Sequence, residues 1–176
     1  MVGGFSRNHK DNKVYKRMYS KVVNLSKKYS NQIIHTGFIP EEDIELYFMA
    51  SDLVVFPYRT IIAASGPFSF VLTYKKPFIM SNKLLSYAKN LDFIDSLKEC
   101  KLNLNDIIFK LNYLSLNKII KRHKILKNNK LVEEFSSILC DKRSWDKIGD
   151  SYFSELYLPN LSKYKIKNNQ IISVTN

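Results

Sequence analysis

Ala64-Ser65-Gly66-Pro67 stands directly before the apolar stretch Phe68 to Thr73, in a chain that has only five glycines among 176 residues. A hydroxyl residue, a glycine and a proline in that order are helix-start chemistry. Ser65 can cap the first turn, Gly66 lets another group approach the backbone, and Pro67 lacks an N–H that would have no partner there. A helix start also presents amides and a partial positive charge, so the same turn could cradle a phosphate. An ordinary capped helix uses the same residues, and only the place of the turn in the fold separates the two roles. Arg59 lies in the loop before it and is the only arginine between Arg17 and Arg122. Its fork of donors suits a phosphate, and a plain surface position suits it equally. His9, His35 and His123 lack the spacing of metal ligands, so no metal or other cofactor is expected. No nucleophile and base stand together in the sequence. Cys100 and Cys140 have no ligand spacing either and read as reduced, buried thiols.

The elements that must position this turn follow from periodicity. Val14, Met18, Val22, Leu25 and Tyr29 recur at helical steps among lysines, which predicts an amphipathic helix over 11–29. Ile33-Ile34-His35-Thr36 reads as a short strand closed by Gly37. Pro40-Glu41-Glu42-Asp43 starts a second helix, with acids in its first turn and Ile44, Tyr47 and Phe48 facing inward. Leu53-Val54-Val55-Phe56 is apolar without alternation, as in a parallel strand buried on both faces, and Pro57 ends it. A helix over 66–75 and a second buried strand at Pro77-Phe78-Ile79-Met80 come next. This alternation predicts an α/β fold, a Rossmann-like doubly wound parallel sheet with helices on both faces. Its ligand would bind beyond the carboxyl ends of the strands, where Gly3-Gly4, Gly37-Phe38, Arg59 to Gly66 and Ser81-Asn82 gather. The first strand is almost missing, because Met1-Val2 runs straight into Gly3-Gly4. From residue 83 the pattern is helical, with pieces near 83–98, 104–114, 115–139 and 144–157, the last capped by Ser144. One domain is expected over 1–158, followed by a loosely ordered tail over 159–176 in which 170–174 has strand character.

The formal net charge is +12, carried mostly by lysine. It is uneven: residues 1–40 hold eight Lys/Arg against Asp11 alone, and 41–52 hold five carboxylates. The basic segment suits phosphates, an anionic membrane surface contacted peripherally, or an acidic partner, and a solvated lysine face is the plainest alternative. Aromatics are not interleaved with the lysines and no groove-reading motif occurs, so nucleic acid is not expected as a partner. No apolar run reaches the length of a membrane span and the N-terminus has no leader pattern, so a cytoplasmic protein is expected.

Taken in order, VGG, the amphipathic helix, IIHTGFIP, LYFMASDLVVFPY, the small-residue turn, YKKPFIMS and RSWDKIGDSYFSELY form an ordered set. From about residue 2 to 158 this set resembles the C-terminal, nucleotide-sugar-binding half of retaining GT-B glycosyltransferases of family 4, also called group 1. The resemblance implies the Rossmann-like donor domain of that fold, without its first strand–helix unit. It implies transfer of a hexose, mannosyl or glucosyl, from a nucleotide-sugar to a glycan, lipid or polysaccharide acceptor, with no metal required. By the same resemblance, Gly3, Gly4, Arg59, Ala64, Ser65 and Gly66 surround the donor diphosphate and sugar. Phe38 or Ile39 lies against the nucleotide base, with a core role for Phe38 as the competing assignment.

The sequence also departs from the family. Its two glutamates, eight residues apart, fall at Ile62 and Phe70, so both carboxylates are missing, and Ser65-Gly66 is similar to a variant branch that carries S-G at the helix start. The family's diphosphate clamp and its acceptor-binding N-terminal domain lie outside this chain. The implied expectation is therefore a donor-binding portion that is inactive alone and works with an acceptor-binding domain in a longer chain or a partner subunit. The alternative is a degenerate, non-catalytic domain that serves protein or membrane interaction.

Overall fold

The computed structural model describes residues 1–5, 10–61, 65–128, 130–157, 164–167 and 170–173. The chain divides into two compact units, Met1–Ser51 and Asp52–Asn176.

In the first unit, α1 spans Lys13–Lys28, and its N-cap Asn12 accepts from the Tyr15 N–H. The helix buries a different side from the one its aliphatic periodicity marks. Tyr15 and Tyr19 turn toward Phe5, with ring centroids 5.1 and 5.2 Å away, Tyr19 also meets His35, and Ser26 is buried. Val14 and Leu25 are left 74% and 49% exposed. The physical reason lies in the partners: what packs on this helix is a small aromatic cluster, and tyrosine rings with a polar tip fill it better than branched aliphatics. The expected strand over 33–36 is also absent. Three backbone bonds tie the segments instead: the Met1 amino group to the Ile34 carbonyl, the Thr36 N–H to the Met1 carbonyl, and the Gly3 N–H to the Gly37 carbonyl. They leave one isolated bridge, between Gly3 and Gly37. A single 3-10 turn, Glu41–Asp43, leads into α2, Ile44–Ala50. This helix has no fully buried residue; Ile44 and Phe48 are half-buried, and Tyr47 is exposed rather than inward-facing.

The second unit is α/β. It contains β1 (Val54–Phe56), α3 (Gly66–Thr73), β2 (Phe78–Ser81), α4 (Leu91–Glu99) and β3 (Ile108–Phe109), then α5 (Tyr113–Asn128), α6 (Leu131–Lys142) and α7 (Trp145–Tyr152). The three strands form one parallel sheet in the order β1-β2-β3, with Phe56 opposite Met80 and Ser81 opposite Phe109. Every residue of β2 is buried, which accounts for its unbroken apolar run. Its alternate side chains serve two cores. Ile79 packs with Phe109 and Ile119 on the face covered by α5. Phe78 joins Phe56, Phe68, Phe93 and Phe135 in an aromatic cluster on the other face, built by α3, α4 and α6. Helices therefore lie on both faces of this small sheet.

The helix expected over 104–114 is instead a 3-10 turn, Leu104–Asp106, followed by β3. Two residues of strand show no periodicity, so only the sheet reveals β3 as its third member. The helical run 115–139 is broken at Lys130, whose φ of 56° lies in the left-handed region and separates α5 from α6. Ser144 caps α7 as its type suggests, accepting from the Lys147 N–H at 3.3 Å. A π-type turn, Phe153–Tyr157, follows. Within the segment expected as a loose tail, β4 (Tyr164–Lys167) and β5 (Gln170–Ser173) pair antiparallel. Cys100 is buried and Cys140 half-buried, and both are free thiols. Burial, with Glu134 and Glu99 adding to it, pushes the Cys100 thiol up to about 11. Among the described residues no helix is long and apolar enough to cross a membrane.

Candidate functional site

Because β1, β2 and β3 run parallel in close register, their carboxyl ends come level, and the loops after Phe56, Ser81 and Phe109 leave from one edge. Pro57 ends β1 by removing a ladder donor. The chain then turns through Tyr58 and Arg59 toward the helix start at Ser65. Two contacts hold the turn. The Ser81 hydroxyl, at the end of β2, donates to the Tyr58 carbonyl at 2.6 Å, and the Tyr58 phenol stands 3.0 Å from the Ser65 hydroxyl. Ser65 has extended backbone and caps α3, its Oγ accepting from the Phe68 N–H at 3.2 Å while its carbonyl accepts from Phe68 and Ser69.

Below this turn Phe68 anchors the helix in the core. Its ring meets Phe78 and Tyr87 edge-on, each at 5.2 Å, and the Arg143 guanidinium lies over it at 5.8 Å. Burial alone would raise the Asp92 carboxyl. The Arg143 hydrogen bond and charge, helped by the Phe93 N–H and Lys142, outweigh that and hold it below its ordinary value. Ring packing, guanidinium and carboxylate thus brace the first turn of α3 from beneath.

Gly66 has an ordinary helical backbone, and among the described residues nothing lies within 4 Å of where a Cβ would stand. Neither packing nor φ therefore demands glycine at this position. What glycine provides is an unshielded approach to the first amide of the helix. The cap already engages the Phe68 and Ser69 amides, Pro67 has none, and the Ser65 and Tyr58 hydroxyls bond to each other, so among the described residues this approach offers the Gly66 N–H and one of those two hydroxyl hydrogens. Such a group of donors at a helix start can hold a phosphate oxygen.

The other residues marked by the sequence divide between the two units. Gly3 and Gly4 adjoin Phe38 in the first. A Cβ on Gly4 would fall 2.3 Å from Phe38 Cδ2, so the Phe38 ring lies directly on the Gly4 backbone. Phe38 is 71% exposed, which removes the core role as its assignment, and Ile39 is half-buried. Gly3 and Gly37 both have positive φ, 122° and 70°, and each needs its glycine for that reason. Arg59 is exposed in the loop after β1. Ile62 and Ala64 lie outside the described residues. Phe70 is half-buried on α3, its ring stacked at 6.3 Å with Tyr74.

The sequence marks Ser65 and Gly66 and places Ser81 at the ligand edge, but it assigns neither Tyr58 nor Ser81 a part in holding the turn. Their only signal is position, since each stands at or just after the end of an apolar strand. Among the described residues no group of three His, Cys, Asp or Glu could hold a metal ion. A separate groove of about 690 Å³ is lined by α4, α6 and α7, with Asp92, Lys142, Ile148 and Tyr152 on its walls, and takes no residue from the carboxyl-edge loops. His123 is buried on α5, and its Nε2 has no hydrogen-bond partner among the described residues. Burial pushes its imidazole down to about 4, against the opposing pull of Asp106. Neither a protein-family model, nor a curated protein, nor a solved structure matches the chain.

Proposed function

We propose that this chain is the donor-binding portion of a retaining glycosyltransferase of the GT-B type, with a Rossmann-like sheet that holds a nucleotide-sugar through its diphosphate. The observation that carries the reading is the start of α3. It lies at the carboxyl edge of a parallel sheet, where ligands of α/β folds bind, and is capped by Ser65. It is also open at Gly66 and tied to the end of β2 through Tyr58. The diphosphate is the leaving group of such a transfer, and amide and hydroxyl donors fixed in advance stabilise the charge that develops on it. The acceptor hydroxyl comes from a separate acceptor-binding domain.

Thermal shift against UDP-, GDP- and ADP-sugars tests the reading. At least one should raise the melting temperature, and no rise with any of them at millimolar concentration would refute it. A specific observation favours a second reading, a non-catalytic domain that keeps the fold alone. Phe70, at one of the family's carboxylate positions, is spent on packing against Tyr74. The same assay separates the two readings.

A further inference from the structure

α1 carries six Lys/Arg and no carboxylate in sixteen residues, and five of the six cations are lysine. At 3.6 residues per turn, Val14, Leu25 and Tyr29 fall within an arc of about 60°, along about 22 Å of helix. They are 74%, 49% and 42% exposed. One flank of this stripe is the inward side, with Tyr15 and Tyr19 on Phe5 and Ser26 buried. On the other flank the spacing places Lys21, Lys28 and Arg17, all exposed. Lys28 Nζ lies 5.3 Å from the centre of the Tyr29 ring, so a cation borders the apolar seam at its end.

We infer that this face of α1 is a docking surface for an anionic lipid bilayer, with Val14, Leu25 and Tyr29 entering the headgroup boundary and Arg17, Lys21 and Lys28 meeting lipid phosphates. An aliphatic stripe beside a cationic flank is the pattern of a helix lying in the interface plane. Long lysine stems reach outward while their apolar neighbours sink. Charge complementarity selects the occupant. Hydrated lysines spread around the helix suit a diffuse anionic surface, whereas a protein partner read through fixed carboxylates favours the arginine fork. Val14 and Leu25 give a nucleic acid nothing to stack on, and the single ring of Tyr29 at one end makes no row of stacking platforms. This inference stands apart from nucleotide-sugar binding, so each can fail without the other.

The test is co-sedimentation of the full chain with phosphatidylcholine vesicles, with and without phosphatidylserine. Binding should require phosphatidylserine and weaken with added salt. Val14→Asp/Leu25→Asp should abolish it, and Lys21→Glu/Lys28→Glu should weaken it at least about tenfold. Tyr29→Ser, at the exposed end of the helix, should weaken it as well. Far-UV circular dichroism and an unchanged melting temperature confirm that the variants fold. Absence of binding to either vesicle overturns the proposal. So does binding that survives Val14→Asp/Leu25→Asp, or displacement from vesicles by a single-stranded RNA homopolymer.

Discussion

The phenol of Tyr58 stands 3.0 Å from the hydroxyl of Ser65, seven residues on, while its own carbonyl accepts from Ser81 twenty-three residues on. The end of β2 thus sets the loop after β1, and that loop sets the start of α3. Removing one group from this chain should show more in binding than in stability. Tyr58→Phe deletes a half-exposed hydroxyl and should cost no more than about 1 kcal/mol. Ser65→Ala removes a helix cap and should cost about 1 kcal/mol. Denaturant titration measures both costs. Each variant should also weaken the nucleotide-sugar response, and a full response in Tyr58→Phe would exclude the phenol from the site.

The aromatic cluster beneath the turn makes a second prediction. Phe78 is fully buried and meets Phe56, Phe68 and Phe135. Phe78→Ala should cost about 3–5 kcal/mol, the range for truncating a packed aromatic. Phe38→Ala removes an exposed ring in the other unit and should change stability by less than about 1 kcal/mol. Chemical denaturation of the two variants side by side checks the contrast.

Much of the second unit was legible in the sequence, for physical reasons particular to each element. β2 is a short unbroken apolar run because both its faces are covered, the edge strand β1 is one although only Phe56 is fully buried, and Ser65 and Ser144 cap helices because their hydroxyls satisfy first-turn amides. β3 was not legible, since Ile108 and Phe109 are too few to show a period and are strand only by pairing with Met80 and Ser81. The buried side of α1 is not legible, because periodicity weighs Val14 and Leu25 as apolar but cannot know that the partner is the ring of Phe5. Ser65 and Gly66 could be picked out by type alone. Tyr58 and Ser81 could not, because their roles arise from contacts across the sheet edge.

His123 gives a pH dependence with a defined sign. Its folded value is lowered to about 4 from 6.5, so the unfolded chain takes up this proton first as pH falls. The stability contributed by the neutral imidazole is fully present above 6.5 and is lost as pH falls from there toward 4, roughly 3 kcal/mol in all. The unfolding free energy of the native chain minus that of His123→Leu, followed over that range, should fall as the pH falls. A difference that stays constant would refute the assignment.

Gly4 lies against the face of Phe38, and an added Cβ would fall inside the ring's contact distance. Gly4→Ala should therefore displace the ring. Denaturant titration should show a cost for Gly4→Ala that exceeds the cost of Phe38→Ala. In the Gly4→Ala/Phe38→Ala double variant the cost of the added methyl should disappear, and a cost that persists would place the strain elsewhere.

The most direct measurement of the donor-binding claim is calorimetric titration of the best-stabilising nucleotide-sugar into the native chain and into Gly66→Trp. No described residue lies within 4 Å of a Cβ on Gly66, so the tryptophan should be tolerated by the fold while covering the first amide of α3. The account predicts saturable binding to the native chain and none to Gly66→Trp, with both proteins equally folded. Equal affinity in the two would contradict it.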